Sequence, residues 1–408
     1  MECILHKYFP KRYLTLLEYL YRTPSGAGLT RDAQPPNVLL FIGGLYDSFR
    51  SPGYVDDLAT LFPRNAPDQK WRVMHVQLSS AGRAFGIFDL NRDVEEISHA
   101  ISYIREHVTR SSTTPVVIMG HSTGCQDVMH YLTSPPASSA SASASSPSSS
   151  SSSSPRPRSV ISGAIMQAPV SDREAILDEI NKKPDVRESY EEALATCAST
   201  PAARHATTIL PTHVTKDIVG PAPISVSRFL SLASPDSPAR PSIDDYFSSD
   251  LSDEHLRTTF GRIGSVDFFQ PSPPPDPRGL LTTNSSDSDK KTKSVLILES
   301  GSDGAVPAYI DKHQLIARWK GAIEAGSDGR ATSSSHSMVV PNAVHDISGS
   351  TVQARTARLI DMRGAVLRYL EDVVGDVGHE ADPSGPWPIW QHDKKAIEAE
   401  AGLSDVKL

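Results

Sequence analysis

The sequence predicts an α/β protein built on a mostly parallel, doubly wound sheet. Four segments are short, apolar and rich in β-branched residues, with little alternation: Asn37 to Ile42, Arg72 to Leu78, Pro115 to Met119 and Ser294 to Leu298. Strands of a parallel sheet that is covered on both faces have this composition. Helical patterns lie between the four segments, and such alternation favours a parallel sheet.

A helix, a fifth strand and a helix start extend this pattern. From Leu90 to Arg110, apolar residues recur at positions that share one helix face. Residues Ser162 to Gln167 form a weaker strand pattern. Ser171 and Glu174 match the capping box with which many helices begin, so we expect a helix to start at this point.

The chain is predicted to divide into a core in two parts, a cap and a tail. Its 408 residues exceed the length of one minimal domain. The segment 134–159 is almost entirely Ser, Ala and Pro, cannot bury enough apolar surface to fold, and predicts a disordered loop. A helical stretch that interrupts the strand–helix rhythm predicts a cap. The predicted parts are the first part of the core at 1–170, the helical cap at 171–257, the second part of the core at 258–378 and the C-terminal tail at 379–408.

Composition and charge argue against several kinds of partner. The formal net charge of -8 argues against binding to nucleic acid. The 3 cysteines are an odd set without a CxxC pair, so we expect no disulfide framework, no metal site and no cofactor. The charged N-terminus lacks the apolar segment of a signal peptide, and no stretch approaches the roughly 18 apolar residues of a membrane span. These features predict a cytoplasmic protein without a membrane partner.

Residues Gly120 to Gly124 (Gly-His-Ser-Thr-Gly) match the G-x-S-x-G motif. A predicted strand precedes the motif and a helical pattern from Cys125 to Leu132 follows it, as the nucleophile elbow of α/β-hydrolases requires. The elbow forces its serine into a strained backbone conformation, in which flanking side chains larger than hydrogen would clash. The hydroxyl then projects at a helix N-terminus, whose partial positive charge stabilises a developing anion. The motif therefore predicts an α/β-hydrolase fold with Ser122 as nucleophile.

A histidine must accompany Ser122, because a hydroxyl attacks a carbonyl only when a base takes its proton. Of the 14 histidines, His345 follows a predicted strand near the C-terminal end, where α/β-hydrolases place this base. His336 is the alternative, at the end of a Ser-rich loop. His121 lies inside the elbow and is expected to pack against the turn or orient it rather than to act as the base.

A carboxylate must hold the imidazole in one tautomer. Asp303 lies in a turn after the predicted strand Ser294 to Leu298, and a turn after a late strand is the usual position of the acid in α/β-hydrolases. An ordinary turn aspartate is the alternative interpretation, since Ser-Asp-Gly is common turn chemistry. Asp346 adjoins the histidine but cannot easily face its ring, and Asp267 is a weaker candidate. The order Ser122, Asp303, His345 is that of α/β-hydrolases.

Two backbone N–H groups must stabilise the oxyanion that forms during acyl transfer. Thr123, directly after the nucleophile, is expected to supply one of them. Paired glycines follow the first predicted strand and permit a backbone turned toward the site, so Leu45 or Gly44 is expected to supply the other. An ordinary Gly-Gly turn is the alternative. The candidate substrate contacts are Gly44, Tyr46, Arg83 and His121, of which Arg83 either binds an anionic group or is simply solvated.

Five motifs carry a family resemblance: Ile42-Gly43-Gly44-Leu45, GHSTGCQD from Gly120 to Asp127, RFLSLAS from Arg228 to Ser234, DDYFSSDLSDEHLRTTFG from Asp244 to Gly261, and the Asp303-x-x-Val306-Pro307 turn. On these motifs the chain resembles a fungal family of cytosolic α/β-hydrolases, long classed as a domain of unknown function. One branch of that family comprises intracellular esterases of fusarinine-type siderophores. The resemblance covers most of the chain, but Gly304 stands where members usually have an acidic residue.

The residues and the resemblance together predict a serine esterase that hydrolyses carboxylic esters through an acyl-enzyme. The resemblance implies a small-molecule ester substrate, with a ferric fusarinine-type siderophore as the candidate, and release of its iron. A general carboxylesterase or thioesterase with another substrate is the alternative among enzymes. A non-catalytic binding protein of the α/β-hydrolase fold is the alternative outside them.

Overall fold

A nine-stranded sheet organises the residues that this computed structural model describes, which are 2–20, 35–61, 70–134, 158–264, 294–348 and 351–374. The strands are β1 (Cys3–Phe9), β2 (Leu14–Tyr19), β3 (Asn37–Ile42), β4 (Trp71–Val76), β5 (Val116–His121), β6 (Gly163–Gln167), β7 (Ser294–Ser300), β8 (Thr332–Ser333) and β9 (Met338–Val340). Their order in the sheet is β1-β2-β4-β3-β5-β6-β7-β8, and β9 pairs with β7. The pairs β1–β2 and β2–β4 are antiparallel, and the other described pairs are parallel.

The five strands predicted from apolar runs are β3 to β7, and each overlaps its predicted range. The predicted parallel sheet is thereby confirmed for the centre of the molecule. The antiparallel strands β1 and β2 lie outside the predicted strands. One reason is that β2 carries a buried acidic residue: Glu18 accepts a hydrogen bond from Arg72 at 2.6 Å, and its Oε2 lies 2.8 Å from the His6 Nε2. A hydrophobicity pattern shows the acidic residue but not the partners from other strands that allow its burial, so β2 could not be recognised from that pattern.

Ten α-helices accompany the sheet in the described part of the chain. They are α1 (Tyr54–Leu61), α2 (Leu90–Tyr103), α3 (Gly124–Thr133), α4 (Asp172–Lys182), α5 (Pro184–Ser199), α6 (Thr212–Val219), α7 (Val226–Ala233), α8 (Asp253–Thr259), α9 (Lys312–Gly326) and α10 (Val352–Val374). One apolar cluster joins the sheet to α2, α3 and α9, and a second joins its other face to α10 and α1. Helices therefore cover both faces of the sheet.

Strand β3 shows why the central strands lack alternation. Val38, Leu40 and Ile42 belong to the cluster on one face, while Leu39 and Phe41 belong to the cluster on the other. All five side chains are fully buried. Successive residues of a strand point to opposite faces, so a strand covered on both sides must be apolar at every position.

Helices α4 to α7 lie between β6 and β7 in the chain and share an apolar cluster of their own. The helix start predicted at Ser171 is confirmed, because the Ser171 hydroxyl accepts a hydrogen bond from the Glu174 amide at 3.1 Å. The Glu174 carboxylate binds elsewhere, accepting hydrogen bonds from the amide and the hydroxyl of Ser249. The predicted cap boundaries, 171–257, stay a prediction.

Several predicted features fall outside the described residues. They include nearly all of the Ser-rich loop at 134–159, the tail at 379–408 and the alternative acid Asp267. Among the helices that the structure does describe, none is both long enough and apolar enough to cross a membrane.

Candidate active site

The turn between β5 and α3 holds Ser122 in a strained backbone conformation. Its φ angle is 55°, in the left-handed region of backbone conformation that residues other than glycine rarely adopt. The turn is also too tight for a side chain before it, since a Cβ on Gly120 would lie 2.2 Å from the carbonyl oxygen of Gly124. These are the steric features of a nucleophile elbow.

The structure brings together the three predicted residues Ser122, His345 and Asp303. The Ser122 Oγ lies 2.7 Å from the His345 Nε2, and the His345 Nδ1 lies 2.7 Å from the Asp303 Oδ2. Because an ionised carboxylate only accepts hydrogen bonds, the Nδ1 carries the proton and the Nε2 is free to accept the serine proton. Such a chain of contacts can turn a hydroxyl into a nucleophile.

Two loops at the carboxyl ends of β7 and β9 position this pair. Asp303 follows β7 and is buried, with its second oxygen accepting a hydrogen bond from the Ala305 amide at 2.8 Å. His345 follows β9. The loops are joined by a hydrogen bond from the Ser302 amide to the Ala343 carbonyl at 2.7 Å. Asp303 and His345 are 42 residues apart in the chain but lie close together because β7 and β9 are neighbouring parallel strands.

The described alternatives to these residues have other partners. The His336 Nε2 lies 3.1 Å from the Asp372 carboxylate and has no contact with the serine. The Asp346 Oδ1 accepts a hydrogen bond from the Ser348 amide at 3.0 Å. Neither residue joins the hydrogen-bonded chain at Ser122.

The predicted substrate contact His121 lies buried behind the ring of His345, with the two ring centroids 5.0 Å apart. Its Nδ1 lies 2.6 Å from the Gln167 Oε1, which also accepts a hydrogen bond from the Tyr54 hydroxyl at 2.8 Å. Burial, and after it the nearby charge of His345, lowers the pKa of His121 to about 4. A neutral His121 therefore packs beneath the candidate base and adds no second charge there.

The loop after β3 lies against the nucleophile, since a Cβ on Gly44 would be 2.7 Å from the Ser122 Cβ. The Gly44 amide donates to the Asp47 carboxylate at 2.8 Å. Across the part of the chain that the structure describes, the amides of Leu45 and Thr123 donate to no protein acceptor. Between the two predicted donors of this loop, Leu45 therefore has the amide that remains available for an oxyanion.

The other predicted substrate contacts lie at the junction with the inserted helices. The Tyr46 hydroxyl donates to the Val219 carbonyl at 2.8 Å, and its ring meets the edge of Phe85. Arg83 is exposed on the helical turn Gly82–Gly86, and its charge acts on the Tyr46 hydroxyl. Tyr46 therefore connects the loop of the candidate oxyanion hole to α6.

A small pocket beside this loop contains charged residues that the sequence reasoning did not select. Its volume is about 40 Å³, and Leu45 and Thr123 line it together with Asp93, Asp127 and Arg228. Two of these residues lie in motifs already noted, the elbow segment and the RFLSLAS segment. Their burial could not be foreseen, because polar positions of a helix are ordinarily expected to face solvent.

Comparison with known families assigns the chain. The family described as "Protein of unknown function (DUF1749)" matches residues 2–370. The chain belongs to the DUF1749 family. This DUF1749 protein is 36% identical over 358 residues to "Esterase AN6793" of Emericella nidulans, covering 84% of this chain and 88% of that relative. It is 35% identical over 386 residues to "Fusarinine C esterase sidJ" of Aspergillus fumigatus, covering 91% of this chain and 96% of the relative.

A solved structure extends the likeness to three dimensions. "Siderophore hydrolase EstB from Aspergillus fumigatus" is 33% identical, with a TM-score of 0.69, covering 92% of this chain and 98% of that one. The fold is therefore an α/β-hydrolase fold with a mixed, mostly parallel sheet and helical insertions. Both the predicted fold class and the family resemblance are confirmed.

Proposed function

We propose that this DUF1749 protein is a serine esterase that opens the ester bonds of fusarinine-type siderophores through an acyl-enzyme on Ser122. The observation that carries the proposal is the hydrogen-bonded chain from the Ser122 Oγ through His345 to Asp303, with both distances at 2.7 Å. The enzyme class rests on sequence similarity to known esterases. Two relatives that are at least 35% identical over most of both chains are named as esterases, and this chain is accordingly a carboxylic ester hydrolase.

The proposed reaction proceeds in two halves. The Ser122 Oγ bonds to the ester carbonyl carbon while the His345 Nε2 takes its proton, and Asp303 stabilises the imidazolium. The tetrahedral intermediate then breaks its bond to the alcohol oxygen, which leaves with the proton from His345. In the second half, water loses a proton to His345 and attacks the acyl carbon. The Ser122 oxygen leaves with that proton, and the carboxylic acid is released.

The oxyanion of each tetrahedral intermediate is proposed to accept hydrogen bonds from the amides of Leu45 and Thr123. Both belong to backbone turns that are held before substrate binds: Leu45 by the Gly44–Asp47 hydrogen bond and Thr123 by the start of α3. Donors that need no reorganisation when charge develops contribute most to this kind of catalysis, and loss of one typically slows kcat by about 10²- to 10³-fold.

The substrate class is carried by the names of two relatives, a fusarinine C esterase and a siderophore hydrolase. Ornithine units joined by ester bonds give such a siderophore several scissile carbonyls, and cleavage that linearises it weakens chelation of its iron. Gly304 has open space around its Cβ position, with nothing within 4 Å. The acidic residue that family members usually have there is therefore not needed to pack the turn that holds Asp303.

The decisive experiment compares four proteins on ferric and iron-free fusarinine-type siderophores and on p-nitrophenyl butyrate, with product masses recorded. Ser122→Ala and His345→Asn are expected to lose turnover of every ester. His336→Asn is the matched control, since it removes the other candidate base, and it should retain wild-type activity. A fluorophosphonate probe should label the wild type but not Ser122→Ala.

The other functions predict different results. A general carboxylesterase or thioesterase would cleave simple esters or thioesters and leave every siderophore intact. A binding protein without catalysis would resist the probe and cleave nothing. Loss of activity in His336→Asn with retention in His345→Asn would contradict the proposed base.

A further inference from the structure

The pocket beside the candidate oxyanion hole contains two carboxyl groups that the proposed reaction does not use. Asp93 of α2 and Asp127 of α3 line it, as do Leu45 and Thr123, whose amides are the proposed oxyanion donors. Both carboxyl groups are buried, with 3% of Asp93 and 6% of Asp127 exposed. A ligand group in this pocket would therefore lie next to the carbonyl oxygen of a bound ester.

Asp127 is short of hydrogen-bond partners. Its Oδ1 is buried with no partner, and in the described residues its side chain forms no ion pair. Asp93 accepts one hydrogen bond, from the Ser80 hydroxyl at 2.7 Å. His75 also lines the pocket with an unpartnered Nδ1. Leaving a buried polar group unpaired is unfavourable, so these atoms indicate a missing hydrogen-bond partner.

Arg228 offsets these carboxylates only in part: its charge lowers the pKa of both Asp93 and Asp127, but its hydrogen bonds are directed elsewhere. Its Nη1 donates to Asp244 at 2.5 Å and its Nε donates to the Phe85 carbonyl at 3.0 Å. One guanidinium therefore accompanies the carboxylates of Asp93, Asp127 and Asp244. The pocket is left with an excess of negative charge when its carboxyl groups are ionised.

Burial is the main influence on the protonation of the pocket. Burial raises the pKa of Asp93 to about 7, and burial followed by the charge of Asp93 raises the pKa of Asp127 well above its usual value. Burial also lowers the pKa of His75 to about 3, so that its ring is neutral. An incoming cation would restore both carboxylates to their ionised forms.

We propose that the pocket is a subsite for an ammonium group on the carbon next to the scissile carbonyl, so that the protein prefers esters of amino acids with a free α-amine. This inference rests on the proposed function. An ammonium has three N–H donors and no acceptor, which matches a pocket of carboxylate oxygens and an imidazole nitrogen. A volume of about 40 Å³ admits a group of this size but no large side chain.

The position of the subsite agrees with the geometry of an α-amino ester. The amine nitrogen is two bonds from the carbonyl carbon and can lie on the same side as the carbonyl oxygen. That oxygen is proposed to meet the amides of Leu45 and Thr123, which border the pocket. The cation would then also stabilise the oxyanion, since the two opposite charges approach one another as the intermediate forms.

The test uses two esters of nearly the same shape, alanine benzyl ester and benzyl isobutyrate, in which an ammonium replaces a methyl group. Released benzyl alcohol is measured at pH 6.5, where an α-amine is protonated. Each kcat/KM is divided by the hydroxide rate of the same ester, to remove intrinsic reactivity. The wild type is expected to prefer the alanine ester by about 10- to 100-fold, the usual strength of a hydrogen bond to a charged group.

Asp127→Asn and Asp93→Asn are expected to reduce this preference to within about threefold of unity, because the rate on the alanine ester falls more than the rate on benzyl isobutyrate. Asp89→Asn is the matched control. It removes an exposed carboxylate from the start of α2, where asparagine caps a helix as well as aspartate does, and should keep the preference. A structural role of Asp127 would instead slow both esters equally.

Two results would overturn the proposal, one from the wild type alone and one from the Asp127→Asn variant. A wild-type preference near unity refutes the subsite even if Asp127→Asn does not fold. An unchanged preference in folded Asp127→Asn refutes it as well. Ser122→Ala tests the proposed function separately from the subsite. Cleavage of benzyl isobutyrate by that variant would refute Ser122 as the nucleophile, and this result would not bear on the subsite.

Discussion

Replacement of Asp303 by asparagine is expected to reverse the tautomer of His345. The carboxylate accepts two hydrogen bonds, from the His345 Nδ1 at 2.7 Å and from the Ala305 amide at 2.8 Å. Asparagine has one oxygen and one NH₂ group in the same volume. Whichever way the amide is oriented, a backbone or ring N–H then faces an NH₂ donor, unless the ring moves its proton.

The least costly arrangement keeps the amide oxygen on the Ala305 amide, because that backbone donor cannot change. The NH₂ group then donates to the His345 Nδ1, and the ring proton moves to Nε2. A protonated Nε2 cannot accept the Ser122 proton, and the carboxylate charge that stabilises the imidazolium is also lost. In a serine protease the corresponding change lowers kcat by about 10⁴-fold, and we expect a loss of about 10³- to 10⁴-fold here.

The assay is kcat for p-nitrophenyl butyrate at pH 7.5, with the melting temperature measured in parallel. Asp346→Asn is the control, since it changes a neighbouring carboxylate that binds the Ser348 amide and not the ring. It should stay within about threefold of wild type, as expected for a site outside the hydrogen-bonded chain. An Asp303→Asn protein that is folded and within tenfold of wild type would refute this account of the acid.

Three further predictions concern neighbouring sites. Gly44→Ala would bring a Cβ to 2.7 Å from the Ser122 Cβ, so the loop that contains it must shift. We expect kcat to fall by about 100-fold with little change in melting temperature. An unaltered kcat would contradict the contact. Burial lowers the pKa of His130 from 6.5 to about 4, so the unfolded chain binds more protons between these values and stability falls as pH decreases through them. His130→Gln should therefore flatten the decline in the free energy of unfolding from pH 6.5 to 4, by up to about 1.4 kcal/mol per pH unit. Urea unfolding of both proteins across this range measures it, and parallel curves would argue against it. Arg228→Met leaves Asp244 buried without its ion-pair partner and should lower the free energy of urea unfolding by about 3–5 kcal/mol. The Arg228→Met, Asp244→Leu double variant should recover part of this loss. If the losses of unfolding free energy from the two single substitutions simply add in the double variant, the pairing is excluded.

Local patterns account for most of the predicted fold and for the nucleophile. Strands β3 to β7 are apolar at successive positions because helices cover both faces, and that composition is visible without coordinates. Ser122 could be selected from five residues in a row, since the elbow needs small neighbours on both sides of one turn. His345 and Asp303 were selected by chain order after the strands that carry them. Their hydrogen bond is a property of two loops brought side by side.

The sequence by itself determined the strand–helix alternation, the elbow and the order of the candidate triad, because each depends on residues that are near neighbours in the chain. Only the tertiary structure decided which polar side chains are buried. Glu18 in β2 and Asp127 in α3 are both acidic residues, yet Glu18 has Arg72 as its partner while the Asp127 Oδ1 has none. The difference arises from elements far apart in sequence, since burial and neutralisation of a charge depend on what packs against it.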